Sequence, residues 1–437
     1  MSYRRGWVAL MLFSLALINY IDRVALSFAI TPVAREFGLS TVGKGYLFSS
    51  FLWTYTLFLI PMGLLVDRFG AKRSAAVGIT LWSAATIFTG MAGNFVSLLA
   101  GRLLMGAGEA SSNPSGARVI REWIPADERG VLNACFNSGS YAGPAICALA
   151  AGPIITAFGW RGLFYAAGAV GFVWLFIWLA VFGPPEKVSW LSEKEREVIL
   201  SRRSGTVAVA GVAPKSGLLG LLRGPTLWGL ALTMGCNIYA QYLFLTWLPS
   251  YLEATKGLNL HSAGLFTALP YGVAAILCIL VGMTSDRFLR RSGVGGGRRR
   301  YVIASTMALA SIVLLAPVVD GLPMLVVLIA LSLTGIASTT SQTFSLTNDL
   351  LSTPADIGVA MGFVVLGGNV FGLLAPVVTG YVIAWTGSYD WAFVIAGLLL
   401  ICGAGSVLCL TRQPIGTPWG TKLAAAPSRA TVPSRAA

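Results

Sequence analysis

Gly63-Leu-Leu-Val-Asp67-Arg68-Phe-Gly70-Ala-Lys72-Arg73 lies between two long apolar runs, and a version of it returns in the second half as Gly282-Met-Thr-Ser-Asp286-Arg287-Phe-Leu-Arg290-Arg291. A short basic turn joining two apolar segments, at corresponding places in each half, is how a chain built from two parallel membrane repeats looks in sequence. Two further features recur in the same order. A helix rich in glycine and proline carries Asn137, Gly139, Gly143 and Pro144 in the first half and Asn369, Gly372 and Pro376 in the second. An aromatic lead-in follows each, Trp160-Arg161-Gly-Leu-Phe164 and Tyr389-Asp390-Trp391-Ala-Phe393. Three ordered correspondences imply a six-plus-six duplication.

Composition agrees with a membrane setting. The chain is 56% hydrophobic and 11% charged, with mean hydropathy +0.75, whereas soluble domains carry roughly 25% charged residues. Runs long enough to cross the hydrocarbon core fall near 7–30, 43–66, 74–93, 95–119, 131–157 and 160–183, then 225–252, 262–285, 301–319, 322–347, 357–385 and 390–411. The expected fold is an all-α membrane protein of twelve transmembrane helices in two pseudo-symmetric six-helix bundles. Its parts are an N-terminal bundle (1–183), a cytoplasmic linker (184–224) with a surface helix near 192–203, a C-terminal bundle (225–411) and a flexible tail (412–437).

The net charge of +14 is a topology signal. On this map Arg35, Lys44, Arg161 and Lys256 fall on one side, Arg23 and Arg102 lie inside spans, and every other Lys and Arg falls on the opposite side. Positive loops mark the cytoplasmic face. Both termini are therefore expected in the cytoplasm, the lipid bilayer is the partner, and nucleic acid is not. The six cysteines all lie in expected spans without metal spacing, so neither disulfides nor a metal site are implied.

Charge inside a membrane costs several kcal/mol or more unless it is paired or faces water, so each such residue needs a reason. Asp22 and Arg23 are adjacent, and neighbours on a helix point about 100° apart. One can face a central cavity while the other faces a neighbouring helix. Arg102 and Glu109 sit two turns apart on one face of the fourth helix, and a four-charge cluster follows if the first and fourth helices pack together. Guanidinium grips carboxylate bidentately, which makes Arg23 an anchor for an anionic substrate. Burial disfavours a charged carboxylate and a nearby arginine favours it, so Asp22 and Glu109 are the candidate proton sites, with Arg102 as their switching partner. The second half offers neutral polarity instead: Asn237, Tyr239, Gln241 and Tyr242, then Ser341, Gln342, Ser345 and Asn348, and finally Asn369.

With these residues in place, the sequence resembles the major facilitator superfamily. The motif from Gly63 to Arg73 resembles its signature loop. Asn19-Tyr20-x-Asp22-Arg23, Tyr55-x-x-x-x-x-Pro61-x-Gly63, Arg102-x-x-x-Gly106-x-Gly108-Glu109-Ala110 and Thr246-Trp247-Leu248-Pro249 resemble its anion:cation symporter family, which includes galactonate, glucarate, hexuronate and phthalate carriers. The resemblance implies uptake of an organic carboxylate such as a sugar acid or an aromatic acid, driven by the proton as coupling ion, by alternating access in a bacterial inner membrane. It implies that Arg23 takes the substrate carboxylate with Tyr20, Tyr55 and Asn369 around it, and that Asp22, Glu109 and Arg102 couple the proton; the polar residues Asn137, Gln241, Tyr242 and Ser345 are expected to complete the substrate site. It also implies gating by the loop motifs, through Gly63, Asp67 and Arg68 with Arg129 or Arg121, and through Asp286 and Arg287. A monomer without further cofactors is expected. A drug:proton antiporter and a non-transporting sensor share the fold; an enzyme is disfavoured, because His261 is the only histidine and no catalytic set accompanies it.

Overall fold

A computed structural model of the chain describes residues 5–124, 129–202, 217–291, 298–351 and 356–416. Its order is α1 (Arg5–Phe37), α2 (Thr41–Phe69), α3 (Ala71–Gly90), α4 (Phe95–Glu109), α5 (Ser112–Trp123), α6 (Arg129–Val181), α7 (Glu193–Arg202), α8 (Gly217–Leu221), α9 (Pro225–Lys256), α10 (Leu260–Arg291), α11 (Arg299–Ala310) continued by a 3₁₀ turn (Ser311–Val318), α12 (Leu322–Asp349), α13 (Ile357–Thr386) and α14 (Asp390–Leu410). Among the described residues, eight helical stretches are long and apolar enough to cross a membrane. Helix α9 has the length but spends its inward face on Asn237, Gln241 and several tyrosines. The outward faces are apolar, with Leu57, Ile60, Phe176 and Ile276 well exposed, as lipid requires and water does not.

Local chemistry sets the breaks. Gly70, the second glycine of the loop motif, sits at φ 84°, ψ 161° between α2 and α3, a conformation open in practice only to glycine. Gly159, at φ 71°, ψ 175°, interrupts α6 just before the aromatic lead-in, so the two expected runs meet there with no loop. Asn94 and Ser97 form a reciprocal capping box at the start of α4. The Ser192 carbonyl accepts the N–H groups of Glu195 and Arg196 as α7 begins, close to the expected start of the surface helix.

One boundary differs from expectation. The run expected as a single helix over 95–119 ends at Glu109 and restarts at Ser112. Pro114 has no N–H for the Ala110 carbonyl, and the hydroxyls of Ser111 and Ser112 compete for backbone; the Ser111 hydroxyl donates to the Gly108 carbonyl at 2.9 Å.

Helices α1–α6 pack mainly on one another, as do α9–α14, and the two sets meet through α1 with α9, α2 with α13 and α6 with α10. These contacts concentrate at the end carrying the α1–α2 and α9–α10 turns. There Thr31 Oγ1 donates to Glu253 Oε2 (2.8 Å), Ser27 Oγ to the Leu245 carbonyl (2.7 Å) and Ser49 Oγ to the Leu373 carbonyl (2.8 Å). Glycines permit the approach: a Cβ on Gly45 would lie 2.6 Å from the Pro376 carbonyl oxygen, and one on Gly264 would overlap that of Ala148. The molecule is closed at this end. Toward the α7 end a cavity opens between the two sets.

Candidate functional site

Arg23, midway along α1, stands where the two sets of helices meet at the cavity floor. Its Nε donates to Glu109 Oε2 at 2.7 Å and its Nη1 to the Tyr242 hydroxyl at 3.2 Å. Its guanidinium carbon lies 4.8, 5.1 and 4.9 Å from the ring centres of Tyr20, Phe51 and Tyr55, a cation–π cage. Arg23 lines the cavity, and among the described residues its Nη2 makes no hydrogen bond. Asn113, on α5, donates from Nδ2 to the Tyr55 hydroxyl at 2.9 Å.

Behind Arg23 the other charges are sealed from the cavity. Arg102 is buried against the opposite side of the same cluster, 5.1 Å from the Phe51 ring centre, with its Nη1 3.3 Å from Met105 Sδ. Asp22 is buried toward α3, beside Trp82 and Thr86, neither of which reaches hydrogen-bond geometry with it. Among the described residues, neither Asp22 oxygen, nor Glu109 Oε1, nor Arg102 Nε has a hydrogen-bond partner. The adjacent pair thus divides as helical spacing predicts, Arg23 to the cavity and Asp22 to a neighbouring helix. The four-charge cluster is only half closed: Arg23 and Glu109 form an ion pair, while Asp22 and Arg102 are close enough to feel one another but not bonded.

The cavity has a volume of about 1020 Å³ including its mouth. Seven of the eight expected substrate-site residues line it: Tyr20, Arg23, Tyr55, Asn137, Gln241, Tyr242 and Asn369. Ser345 does not. It lies one turn further along α12, and its hydroxyl donates back to the Ser341 carbonyl; Thr340 and Ser341 occupy the wall instead. Asn237 and Gln342 are also absent from the lining. Asn237 donates to the Ile336 carbonyl and the Thr340 hydroxyl, and Gln342 accepts from Arg299 at 2.6 Å. Sequence reading missed Ser112, Asn113, Ser140 and Tyr141 on the opposite wall. Reading α4 and α5 as one helix hid the first two, and the Pro114 signal would have exposed them.

The loop motif is reached from α5. Asp67 and Arg68 are exposed, and among the described residues the Asp67 carboxylate has no ion-pair partner. Arg118, on α5, reaches the motif. Its Nη1 donates to the backbone carbonyls of Val66 and Asp67, and its Nε pairs with Glu122 at 2.7 Å. The last carbonyls of a helix lack intrahelical donors and carry its negative pole, so they compete well for a guanidinium. Gly63 has open space where a Cβ would be. The side chains of Arg129, Asp286 and Arg287 lie outside the described residues.

The family model described as Major Facilitator Superfamily matches residues 12–351 and 295–435. The chain is 31% identical over 421 residues to a probable galactarate/D-glucarate transporter of Escherichia coli, covering 93% of each chain. It is 34% identical to a probable sulfoacetate transporter of Cupriavidus necator, covering 92% of each. It is 31% identical to a probable L-galactonate transporter of Escherichia coli, covering 94% of this chain and 90% of that one. In fold it is similar to a bacterial homologue of the human lysosomal transporter Spinster in the inward-facing, occupied conformation, with TM-score 0.73, 18% identity, and coverage of 94% of this chain and 98% of that one. It is likewise similar to a D-xylose–proton symporter, with TM-score 0.72, 16% identity, and coverage of 95% and 100%. The chain belongs to the Major Facilitator Superfamily, as a multi-pass membrane transporter of the anion:cation symporter type and not an enzyme.

Proposed function

We propose that this chain is a proton-coupled symporter that imports an organic carboxylate, such as a sugar acid, by alternating access across a bacterial inner membrane. It crosses that membrane twelve times with both termini in the cytoplasm, so the open end of the cavity faces inward. The observation that carries the reading is Arg23: one face of its guanidinium is bonded to a buried carboxylate, and its remaining nitrogen meets the cavity.

The coupling follows from competition. A carboxylate arriving at Arg23 displaces Glu109, and a buried carboxylate without its counter-ion is costly as an anion. A proton on Glu109 relieves that cost. Asp22, buried without a hydrogen-bond partner, is a second place for a proton, and Arg102 stands near both acids to compensate whichever is charged. Sugar-acid transport by the relatives, as their names state it, supports the substrate class.

Uptake of labelled sugar acids into proteoliposomes tests the proposal. Accumulation driven by an inward proton gradient and abolished by a protonophore is the expected result. Uptake indifferent to the gradient would remove proton coupling.

A further inference from the structure

One cation, among the described residues, serves the cavity. Among the described residues that line it, Arg23 is the only charged side chain. The wall supplied by α9, α12 and α13 is neutral, with Gln241, Thr340, Ser341 and Asn369 set among Ile238, Phe344 and Val365. Three other cations are committed elsewhere. Arg102 is buried and does not line the cavity, Arg299 is held by Asp349 and Gln342, and Arg118 is held by the end of α2 and Glu122.

The anion end is furnished for a single carboxylate. Tyr242 accepts from Arg23 Nη1, and Tyr55 accepts from Asn113 Nδ2, so each phenol keeps its own proton to donate. With Arg23 Nη2 they make three donors converging at one end of the cavity. At the other end, Asn369 Nδ2 is buried without a partner among the described residues, a donor left for a neutral acceptor.

We propose that the site selects a monoanion, one carboxylate on a polyhydroxylated chain, and discriminates against the diacid of the same skeleton. This rests on the organic-carboxylate reading above and narrows it. The charge of Arg23 is already balanced by Glu109, so one arriving carboxylate replaces one carboxylate. A diacid would carry a second charge to the neutral wall, where amides and hydroxyls replace its hydration without a counter-charge. Hydroxyls lose nothing there, because amide side chains both donate and accept. Discrimination comes from the misplaced second charge, a repulsive element in the sense of specificity by exclusion.

The test is competition binding to the purified full-length protein with D-galactonate, galactarate and galactitol, which share one carbon skeleton. The expected order is galactonate tighter than galactarate by about tenfold or more, with galactitol silent. Galactarate binding as tightly as galactonate would overturn the proposal. Binding only of aromatic monoacids would overturn its polyhydroxylated part while leaving the organic-carboxylate reading intact; no binding by any carboxylate would defeat both. Two variants place a cation on the neutral wall, Asn369→Lys and the more exposed Ser341→Lys. At least one that keeps its thermal stability is expected to shift preference toward galactarate. Folded variants that both keep the original preference would contradict the charge account.

Discussion

Arg23 and Glu109 are joined by one charge-assisted hydrogen bond, Nε to Oε2 at 2.7 Å, linking α1 to α4 with both side chains shut almost entirely from solvent. The remaining guanidinium nitrogens point elsewhere, to Tyr242 and to the cavity. One arginine therefore holds an internal carboxylate while it still has a face for an external one.

Arg23→Lys is expected to weaken substrate binding by roughly tenfold or more, about 1.4 kcal/mol, because a lysine keeps the charge but lacks the planar fork that spans two partners. Arg23→Ala should abolish binding and transport. Titration calorimetry on the two variants checks the order; wild-type affinity in Arg23→Lys would mean that charge alone suffices.

Glu109→Gln keeps shape and hydrogen-bonding capacity but has no proton to exchange. Counterflow of labelled substrate should persist, gradient-driven accumulation should disappear, and the pH dependence of exchange should flatten. Proteoliposome assays in both modes distinguish this from a simple loss of folding, which would remove counterflow too.

Asn237 and Gln241 sit one turn apart on α9 with different tasks. Asn237→Ala should lower stability by about 1 kcal/mol through its lost bond to the Ile336 carbonyl and leave the affinity of the folded protein unchanged. Gln241→Ala should do the reverse. Thermal denaturation beside ligand titration separates them.

Two glycines of the loop motif should behave oppositely. Gly70→Ala forces a side chain into φ 84° and should cost on the order of 1–3 kcal/mol, whereas Gly63→Ala meets open space and should fold normally. Melting temperatures of the pair decide it.

Closure at the α1–α2 end depends on glycine contacts between halves. Gly264→Val would drive side-chain atoms into the Ala148 carbonyl, so it should bias the transporter toward the state open at that end. Thiol labelling of a cysteine introduced at Thr31, now half-buried at its bond to Glu253, should rise in the Gly264→Val background.

The apolar runs, the Asp22/Arg23 division and seven of the residues lining the cavity were legible in the sequence, because burial in lipid leaves few polar residues and helical spacing assigns each a direction. Ser345 was misplaced for a reason spacing does not reveal: four residues separate it from Ser341, the same face but a full turn along. The break after Glu109 was overlooked although the polar stretch from Ser111 to Ser115, with Pro114 inside it, marks it. That Arg118 reaches the loop motif depends on where α5 begins, which follows from that same break. The half-closed charge cluster was out of reach, since adjacency in sequence says nothing about which of two carboxylates an arginine bonds.

The measurement that bears most directly on the exchange of carboxylates at Arg23 is calorimetric titration with substrate in buffers of different ionisation enthalpy, for the wild type and for Glu109→Gln. The account predicts net proton uptake on substrate binding by the wild type and a clear reduction in the variant. Equal proton uptake by both, or none by either, would contradict it.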